Sequence, residues 1–464
     1  MKNIILQTDS YKLGHWNQYP KNTEKVYSYF ESRKGAKWDE TVFFGLQYIL
    51  KKNLTKQVSH ANIDEAVEIA SAHFGNDKIF NEKGWRHIVD NHNGYLPVRI
   101  KCVPEGTPVL VNNVMLTVEN TDPKCWWLTN FLESQLTHVW YSSTVATLSR
   151  EVKKNIKRFY EETADHLNLL DFKLHDFGYR GVSSNESADI GGAAHLVSFL
   201  GTDTVPALKL LHDYYSAEYA EIAYSVPATE HSIMTAEGPD GEQKIVERLL
   251  KEYPTGILSI VSDSYDIYNF VDNIIGINLK NQILKRNGIT VIRPDSISPR
   301  HKTPEEQMVW IAKSLWKSYG GVTNKKGYNI INPKVRILWG DGIDIDGINK
   351  ILSALKEHKF SVENVATFGM GGGLLQRINR DTQRFAFKCS AQYRNGKWID
   401  VYKDPTDKSK ASKKGRLKLI CNNGKFETRP IHDNGEDCLQ TVFENGKILK
   451  EYTLAEVREN AKIV

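Results

Sequence analysis

Val335-Arg-Ile-Leu-Trp-Gly-Asp341 is the stretch that decides the fold, because an apolar run ends there in a glycine and an aspartate. The same pattern recurs at residues 257–263, 289–295 and 365–371. Buried parallel strands read as continuous apolar runs, and their connections require helical crossovers. The repeated units predict an irregular α/β barrel over residues 166–387, with functional groups at the carboxyl ends of its strands. A doubly wound open sheet is the alternative fold.

The two ends of the chain mix strands and helices without this strict order. Residues 40–51 and 125–139 carry apolar residues three and four positions apart, which predicts amphipathic helices. Past the barrel, hairpin turns are indicated by Asn-Gly pairs that begin at Asn395, Asn423, Asn434 and Asn445. We expect residues 1–165 and 388–464 to form one additional α+β domain built from both chain ends and contributing to a dimer.

Composition excludes several classes of protein. The 464 residues are 40% hydrophobic and 10% aromatic, which is typical of a globular chain and not of a disordered one. No run approaches the roughly 20 apolar residues that a transmembrane helix needs, so no membrane partner is expected. The 5 cysteines include no CxxC pair, which argues against a disulfide framework and a structural zinc and favours a cytoplasmic location.

The excess positive charge is concentrated in one segment. The net charge of +5 is small for this length, and residues 403–418 hold seven basic and two acidic residues. A solvated basic loop is one interpretation, and a mobile clamp for pyrophosphate or ATP phosphates is the other. No nucleic-acid partner is expected, because the segment lacks interleaved aromatic residues and a matching fold signal.

A glycine run lies between an apolar strand and a helix. It reads Phe-Gly-Met-Gly-Gly-Gly-Leu-Leu-Gln-Arg-Ile-Asn-Arg-Asp over residues 368–381. Glycines let backbone N–H groups approach an anion closely, and the start of a helix favours negative charge. The spacing matches neither a Walker A loop nor a GxGxxG fingerprint. Packing alone is the other interpretation, but the position between strand and helix favours phosphate binding.

Charged residues follow several of the apolar strands. These residues are Arg180, Asp263, Arg293, Asp295 and Asp341. Carboxylates at such positions can hold ribose hydroxyls, bind Mg²⁺ through water or orient a histidine, and guanidinium groups can bind phosphate. Taken singly, helix capping and surface ion pairing are their ordinary roles. Of the 14 histidines, His231 is the candidate for a functional role, because it follows a strand-like run and a proline.

Several motifs spread over nearly the whole chain resemble one known family. Two of them are Leu174-His-Asp-Phe-Gly-Tyr-Arg-Gly181 and Val261-Ser-Asp-Ser-Tyr-Asp-Ile-Tyr268, and others lie at residues 6–12, 26–33, 201–204, 292–296, 340–342, 371–376 and 413–416. Together they are similar to the nicotinamide phosphoribosyltransferase family. The resemblance implies a homodimeric type II phosphoribosyltransferase fold with active sites at the interface. It also implies that nicotinamide and 5-phosphoribosyl 1-pyrophosphate give nicotinamide mononucleotide and pyrophosphate, in NAD biosynthesis.

The resemblance assigns four residues to nicotinamide. Phe177 and Tyr11 of the partner subunit would stack on the two faces of the pyridine ring, which excludes water. Asp203 would accept a hydrogen bond from the amide nitrogen, and Arg180 would lie near the amide and the phosphate. A nicotinate carboxylate would face Asp203 with like charge, so the acid would be rejected.

The remaining assignments concern ribose, phosphate and ATP. Asp295, Gly340 and Asp341 match ribose-side positions, and Arg293, Gly371, Gly372 and Arg380 of the partner subunit match phosphate-binding positions. The pyrophosphate or ATP clamp would also come from the partner subunit and would consist of its residues Arg33, Lys388, Lys403 and Lys410. His231 matches a histidine that ATP phosphorylates, with Asp263 orienting its imidazole and Ser259 beside it. Mg²⁺ is the expected cofactor, with no direct ligand assigned, and ATP is a coupled substrate.

One departure and two alternative functions accompany the resemblance. Met370 stands where small polar residues are usual beside the glycines, which puts one phosphate hydrogen bond in doubt. The alternative functions are a nicotinate phosphoribosyltransferase and a non-catalytic binding relative.

Overall fold

A computed structural model describes residues 3–406 and 411–463. Its strands are β1 (Thr23–Ser32), β2 (Glu40–Val42), β3 (Val98–Cys102), β4 (Pro108–Leu110), β5 (Val114–Asn120), β6 (Leu174–Asp176), β7 (Gly201–Thr202), β8 (Thr255–Val261), β9 (Asn287–Arg293), β10 (Gly321–Thr323), β11 (Asn329–Ile331), β12 (Val335–Trp339), β13 (Val365–Met370), β14 (Phe385–Arg394), β15 (Lys397–Asp400), β16 (Leu417–Asn422), β17 (Lys425–Pro430), β18 (Gln440–Glu444) and β19 (Lys447–Ile448).

The α-helices alternate with these strands and with short 3₁₀ and π-helical segments. They are α1 (Leu46–Ile49), α2 (His60–Phe74), α3 (Glu82–His92), α4 (Leu128–Phe131), α5 (Glu133–Thr137), α6 (Val139–Thr163), α7 (Asn185–His195), α8 (Val205–Tyr215), α9 (Tyr219–Ile222), α10 (His231–Met234), α11 (Glu242–Glu252), α12 (Lys280–Lys285), α13 (Pro304–Tyr319), α14 (Ile345–Glu357), α15 (Gly372–Leu375) and α16 (Leu454–Asn460). Within the described ranges, no helix is both long enough and apolar enough to cross a bilayer.

The middle of the chain forms a parallel sheet that closes on itself. Its six strands lie in the order β7-β6-β13-β12-β9-β8. An irregular segment joins the two outer strands, because Tyr224 bridges to Gly201 of β7 and Ala228 bridges to Ser259 of β8. The predicted irregular α/β barrel is therefore confirmed, and the open doubly wound sheet is wrong.

The crossover helices pack one apolar face on this sheet. In α14, Asp344 caps the first turn by accepting the N–H of Gly347 at 2.9 Å. Its buried face consists of Ile348, Ile351, Leu352 and Leu355, at the three- and four-residue spacing of an amphipathic helix. Burying each such side chain contributes about 1.5–3 kcal/mol. These helices bring the carboxyl ends of the strands to one rim of the barrel.

A seven-stranded sheet forms the additional α+β domain. Its order is β15-β14-β1-β5-β3-β18-β19. The central β1 pairs antiparallel with β5, from before the barrel, and with β14, from after it. The domain is thus built from both chain ends, as predicted, and its apolar side chains join those of the barrel in one core. The bounds 1–165, 166–387 and 388–464 stay a prediction.

Local predictions are partly wrong where sheet pairing competes with helical periodicity. In the predicted helix over residues 40–51, Glu40–Val42 instead pair with β4 as β2. Gly45 then has φ of 101°, so the helix begins only at Leu46. The helix predicted over 125–139 is divided into the short α4 and α5 ahead of α6. Asn-Gly turns do join β14 to β15, β16 to β17 and β18 to β19, whereas Asn434 lies in a bend outside the described strands.

Candidate active site

Phe177 lies directly after β6, at the rim of the barrel. Its N–H donates to the carbonyl of Met370 at 3.0 Å, which ties the end of β6 to the end of β13. A Cβ atom at Gly369 would lie 2.0 Å from the Phe177 ring, and one at Gly340 would lie 3.3 Å from it. The ring therefore packs directly on backbone, and glycine at position 369 is what admits it.

Asp203 lies after β7, and its side chain is held through one carboxylate oxygen, Oδ1. Its Oδ1 accepts hydrogen bonds from His175 Nε2 at 2.8 Å and from Ser225 Oγ at 2.7 Å. Burial raises the pKa of Asp203, but the His175 and Ser225 hydrogen bonds and the charges of His175 and Arg293 together lower it. Among the described residues, no hydrogen bond reaches its Oδ2. The site thus offers an ionised acceptor oxygen at the rim.

A buried carboxylate fixes the turns that carry these two residues. Asp176, at the end of β6, has no exposed surface. Its Oδ1 accepts the N–H of Gly178 at 2.7 Å, and its carbonyl accepts the N–H of Asp203 at 3.0 Å. Burial raises the pKa of Asp176. Asp176 therefore fixes the backbone turns that carry Phe177 and Asp203.

His231 begins α10 and faces a second carboxylate. Its Nε2 lies 3.3 Å from Oδ1 of Asp263, and the two side chains are 47% and 7% exposed respectively. The other oxygen of Asp263 accepts the N–H of Asp295 at 3.0 Å and the hydroxyl of Ser296. Asp263 thus joins the loops after β8 and β9 while it faces an accessible imidazole.

The negative charges of two rim carboxylates act on a third. Burial raises the pKa of Asp341, and the negative charges of Asp295 and Asp263 raise it further. Such mutual repulsion is relieved by a cation, and carboxylate oxygens are ligands that Mg²⁺ prefers. The ligand atoms of these carboxylates do not form a group of three within 4.8 Å in the described ranges, so contact with Mg²⁺ through water fits them better than joint direct ligation. Each carboxylate alone is also compatible with holding ribose hydroxyls.

The glycine run turns sharply after β13. Gly371 has φ of −94° and ψ of −107°, and α15 that follows is a single turn of four residues. A Cβ at Gly372 would meet nothing within 4 Å, whereas one at Gly373 would lie 2.7 Å from the carbonyl oxygen of Ile343. Gly372 is thus open to a ligand and Gly373 serves packing. The side chain of Met370 is fully buried, so it lies in the core.

Arg293 ends β9 with its guanidinium group close to Phe177. The guanidinium carbon is 5.9 Å from the ring centroid, and one Nη donates to the carbonyl of Thr229 at 3.1 Å. Its Nε and the hydroxyl of Ser259 are buried without a hydrogen-bond partner among the described residues. Each unpaired buried polar group costs about 1–3 kcal/mol, which a bound ligand or water would relieve. Arg180 is exposed in the turn Tyr179–Gly181.

Four of the predicted phosphate-binding cations form a separate basic cluster. Burial lowers the pKa of Lys388; the charge of Glu133 raises it, whereas those of Arg33, Lys403 and Arg380 lower it further. These four cations, Arg33, Arg380, Lys388 and Lys403, are called the basic cluster below. Lys410 lies outside the described residues.

Tyr11 is also apart from Phe177 within one chain. It lies in the short 3₁₀ helix Ser10–Asn17 and is 57% exposed. Over the described ranges, no hydrogen bond, ion pair or ring contact joins Tyr11 or the basic cluster to Phe177 or Asp203. Within one protomer, Tyr11 and the basic cluster thus make no direct contact of these kinds with Phe177 or Asp203.

Comparison with known proteins decides the family. The family model for the N-terminal domain of nicotinamide phosphoribosyltransferase matches residues 3–100, and that of the nicotinate phosphoribosyltransferase (NAPRTase) family matches residues 172–447. A nicotinamide phosphoribosyltransferase from Xanthomonas campestris pv. campestris (strain 8004) is 45% identical over 473 residues, covering 99% of this chain and 98% of that protein. The chain belongs to the nicotinamide phosphoribosyltransferase family. The resemblance inferred from its motifs is confirmed.

One further relative and one solved structure are also similar to this chain. A nicotinamide phosphoribosyltransferase from Acinetobacter baylyi (strain ATCC 33305 / BD413 / ADP1) is 34% identical over 98% of this chain and 96% of that protein. The crystal structure of nicotinate-nucleotide pyrophosphorylase from Pyrococcus furiosus shares the fold, with a TM-score of 0.62 at 16% identity over 99% of this chain and 95% of that one.

Sequence reasoning missed the supporting residues of this nicotinamide phosphoribosyltransferase family site. His175 and Ser225 hold Asp203, Asp176 holds two turns, and Thr229 accepts from Arg293. His175 and Asp176 are two of the three residues of β6, and their polarity at a barrel strand is the one signal that could have marked them. Ser225 and Thr229 lie in the irregular segment that closes the barrel. That segment has no helical or strand periodicity that could have marked them.

Proposed function

We propose that this chain transfers the phosphoribosyl group of 5-phosphoribosyl 1-pyrophosphate to the ring nitrogen of nicotinamide, giving nicotinamide mononucleotide and pyrophosphate in NAD biosynthesis. The observation that carries this proposal is that Phe177 and the ionised Asp203 follow neighbouring strands and share His175, whose Nε2 lies 2.8 Å from Asp203 Oδ1 and whose ring centroid is 5.3 Å from that of Phe177. A flat aromatic surface beside one acceptor oxygen suits a heterocycle that bears a carboxamide.

Asp203 is the residue that selects amide over acid. Its hydrogen bonds on Oδ1 keep it ionised, and Oδ2 is the oxygen that would accept from the substrate NH₂. Nicotinate has no proton to donate there and would bring a second negative charge. The nicotinate phosphoribosyltransferase alternative is disfavoured on this ground.

Bond exchange at the ribose needs no general base, because the ring nitrogen of nicotinamide already carries a free lone pair. Its bond to ribose C1 forms as the bond to pyrophosphate breaks, and positive charge develops on the ribose. Asp295 and Asp341 would hold the ribose hydroxyls and oppose that charge. Arg293 and the N–H groups of Gly371 and Gly372, with Gly340 beside the ribose, would hold the phosphoribosyl group in position.

Mg²⁺ is proposed as the cofactor. Asp263, Asp295 and Asp341 would hold it through water-mediated contacts, and the effect of the Asp295 and Asp263 charges on the pKa of Asp341 supports a cation there. When bound, the ion supplies charge neutralisation for the departing pyrophosphate.

ATP coupling is proposed to run through His231. The γ-phosphoryl group would pass from ATP to an imidazole nitrogen, releasing ADP, and water would later hydrolyse the N–P bond to give phosphate. The exposed imidazole is accessible to ATP, and Asp263 would orient it and stabilise its positive charge. The phosphorylated histidine would improve binding of phosphoribosyl pyrophosphate or retention of pyrophosphate.

A homodimer with shared active sites is proposed from the family resemblance, and the exposure of Tyr11, which does not contact Phe177 within its own chain, supports it. Tyr11 and the basic cluster would complete the site around Phe177 of the partner protomer. A groove of about 1410 Å³ beside the glycine run supports this arrangement, since Asp9 and Gln376 both line it and it could receive part of a second chain.

Free thiols at all five cysteines support a cytoplasmic location.

A direct assay tests the proposal. The purified chain is incubated with phosphoribosyl pyrophosphate, Mg²⁺ and either nicotinamide or nicotinate, with and without ATP. We expect nicotinamide mononucleotide and pyrophosphate to form in preference to the nicotinate product, with stimulation by ATP. Preference for nicotinate would establish the alternative enzyme, and absence of pyrophosphate release from either would indicate a non-catalytic relative.

A further inference from the structure

Two histidines and an aspartate meet in the additional α+β domain, outside the candidate active site. His87 and His92 belong to α3, and Asp122 follows β5. The Nε2 atoms of the two histidines each lie 2.7 Å from the same oxygen, Oδ2 of Asp122. Their ligand atoms all lie within 4.8 Å of one another, the one group of three or more of this kind within the described ranges.

The carboxylate is fixed so that Oδ2 faces both imidazoles. Its Oδ1 accepts the N–H of Lys124 at 2.8 Å, and the carbonyl of Asp122 accepts from Asn120 Nδ2 at 2.7 Å. The backbone contacts therefore place one carboxylate oxygen between two imidazole nitrogens.

Exposure of this group is intermediate. The side chains of His87, His92 and Asp122 are 18%, 27% and 17% exposed. They are shielded enough to be held in place, yet water and small ions reach them. Three protein ligands with this exposure leave a fourth coordination position that water can occupy.

We propose that His87, His92 and Asp122 form a binding site for a divalent transition metal ion of the zinc type. Imidazole nitrogen and carboxylate oxygen are ligands of that ion class, whereas Mg²⁺ takes oxygen ligands. The site is thus chemically distinct from the carboxylates near Phe177 and independent of the proposed transferase activity. The sequence argument against zinc concerned cysteine ligands, which this group does not use.

Metal binding requires a small, balanced rearrangement. Each neutral imidazole moves its proton from Nε2 to Nδ1, so that Nε2 is free to donate its lone pair to the metal. The side-chain amide of Asn91 lies 3.0 Å from Nδ1 of His87. After a half-turn of that amide, its oxygen accepts the relocated proton and orients the ring.

The ligand atoms must also separate slightly. Tetrahedral bonds of about 2.0–2.1 Å place ligand nitrogen and oxygen roughly 3.3 Å apart. The two nitrogen–oxygen distances of 2.7 Å must therefore widen by about half an ångström. His92 ends α3 and is partly exposed, so its ring can make this movement.

Cobalt(II) is the probe that tests the site. Full-length protein is stripped with a chelator and titrated with Co²⁺ near neutral pH while its visible absorption is recorded. We expect one equivalent to bind with the absorption bands of a four- or five-coordinate site, and Zn²⁺ to displace it. Absence of such bands in the folded wild-type protein would overturn the proposal.

Two variants and one matched control locate the binding. His87→Gln and His92→Gln should each weaken Co²⁺ binding at least tenfold. His60→Gln removes an exposed histidine that lies 3.3 Å from Asp90, and it should bind Co²⁺ like the wild type. Equal affinity in the wild type and in both His87→Gln and His92→Gln would refute the site.

Acidification of the wild-type protein gives a test that needs no variant. At pH 5 protons compete with the metal for the imidazole lone pairs, so the affinity for Co²⁺ should fall. Circular dichroism establishes that the fold persists at that pH. Retention of full Co²⁺ affinity by folded protein at pH 5 would exclude the histidine ligands.

Discussion

The imidazole of His175 donates from Nε2 to Oδ1 of Asp203 across 2.8 Å, from the strand beside the one that Asp203 follows. The two strands are in parallel register, with His175 opposite Gly201 and Asp176 opposite Thr202. The carboxylate is therefore oriented by backbone geometry and not by chance contact of flexible side chains. This orientation underlies the proposed selection of nicotinamide.

Replacing Asp203 with asparagine should change substrate preference. The Asp203→Asn variant removes the negative charge that repels nicotinate, and its amide can donate to a carboxylate. We expect kcat/KM for nicotinamide to fall at least tenfold and the ratio of nicotinate to nicotinamide use to rise. Asp213→Asn, at an exposed aspartate paired with Lys209, is the control and should leave both values unchanged. An unaltered preference in Asp203→Asn would contradict the assignment.

Removing the His175 donor should shift the pH profile of nicotinamide use. The hydrogen bond from His175 lowers the pKa of Asp203, so its loss in His175→Leu raises that pKa. The acid-side fall in kcat/KM, which follows protonation of Asp203, should then occur at higher pH than in the wild type. His175→Gln keeps a donor and should restore much of the original profile. Coincident profiles for His175→Leu and wild type would rule out this positioning role.

The ATP response should depend on His231. His231→Ala should retain basal phosphoribosyl transfer while losing both ATP stimulation and incorporation of labelled γ-phosphate. His432→Ala, at a side chain that is 82% exposed, should respond to ATP like the wild type. Full stimulation in His231→Ala would show that coupling runs elsewhere.

Two glycine variants separate packing from ligand approach. Gly369→Ala places a methyl group against the Phe177 ring and should cost about 1–3 kcal/mol of unfolding free energy, besides raising KM for nicotinamide. Gly372→Ala meets open space, so its unfolding free energy should be nearly unchanged while KM for phosphoribosyl pyrophosphate rises. Denaturant unfolding and initial-rate kinetics measure these quantities. Equal KM for phosphoribosyl pyrophosphate in Gly372→Ala and wild type would argue against phosphate binding by the glycine run.

Mixing inactive variants tests the shared site. When Asp203→Ala and Arg380→Ala exchange subunits, one site of each mixed dimer keeps both residues, so roughly a quarter of wild-type activity should return. Arg380→Ala mixed with Tyr11→Ala should stay inactive, because both residues act on the partner's site. Lack of rescue in the first mixture, once exchange is shown by differential tagging, would oppose the shared site.

The strands in the middle of the chain could be predicted from the sequence, because buried parallel strands form continuous apolar runs. Residues 335–341 and 365–371 each predicted a strand with polar or glycine residues at its end, and the fold class followed from their repetition. The family motifs likewise named Phe177, Asp203 and the glycine run as candidates. Periodicity failed at residues 40–42, because pairing with β4 is a long-range contact that a local window does not contain.

Tertiary structure alone decided which side chains meet. The contact of His175 with Asp203, the hydrogen bond from Asp203 N–H to the Asp176 carbonyl and the convergence of His87 and His92 on Asp122 all join residues distant in sequence. Residue types along a chain fix local conformation and the apolar faces that must be buried. The distance and orientation between two polar groups, and hence their pKa values, arise only when packing brings separate strands and loops to one place.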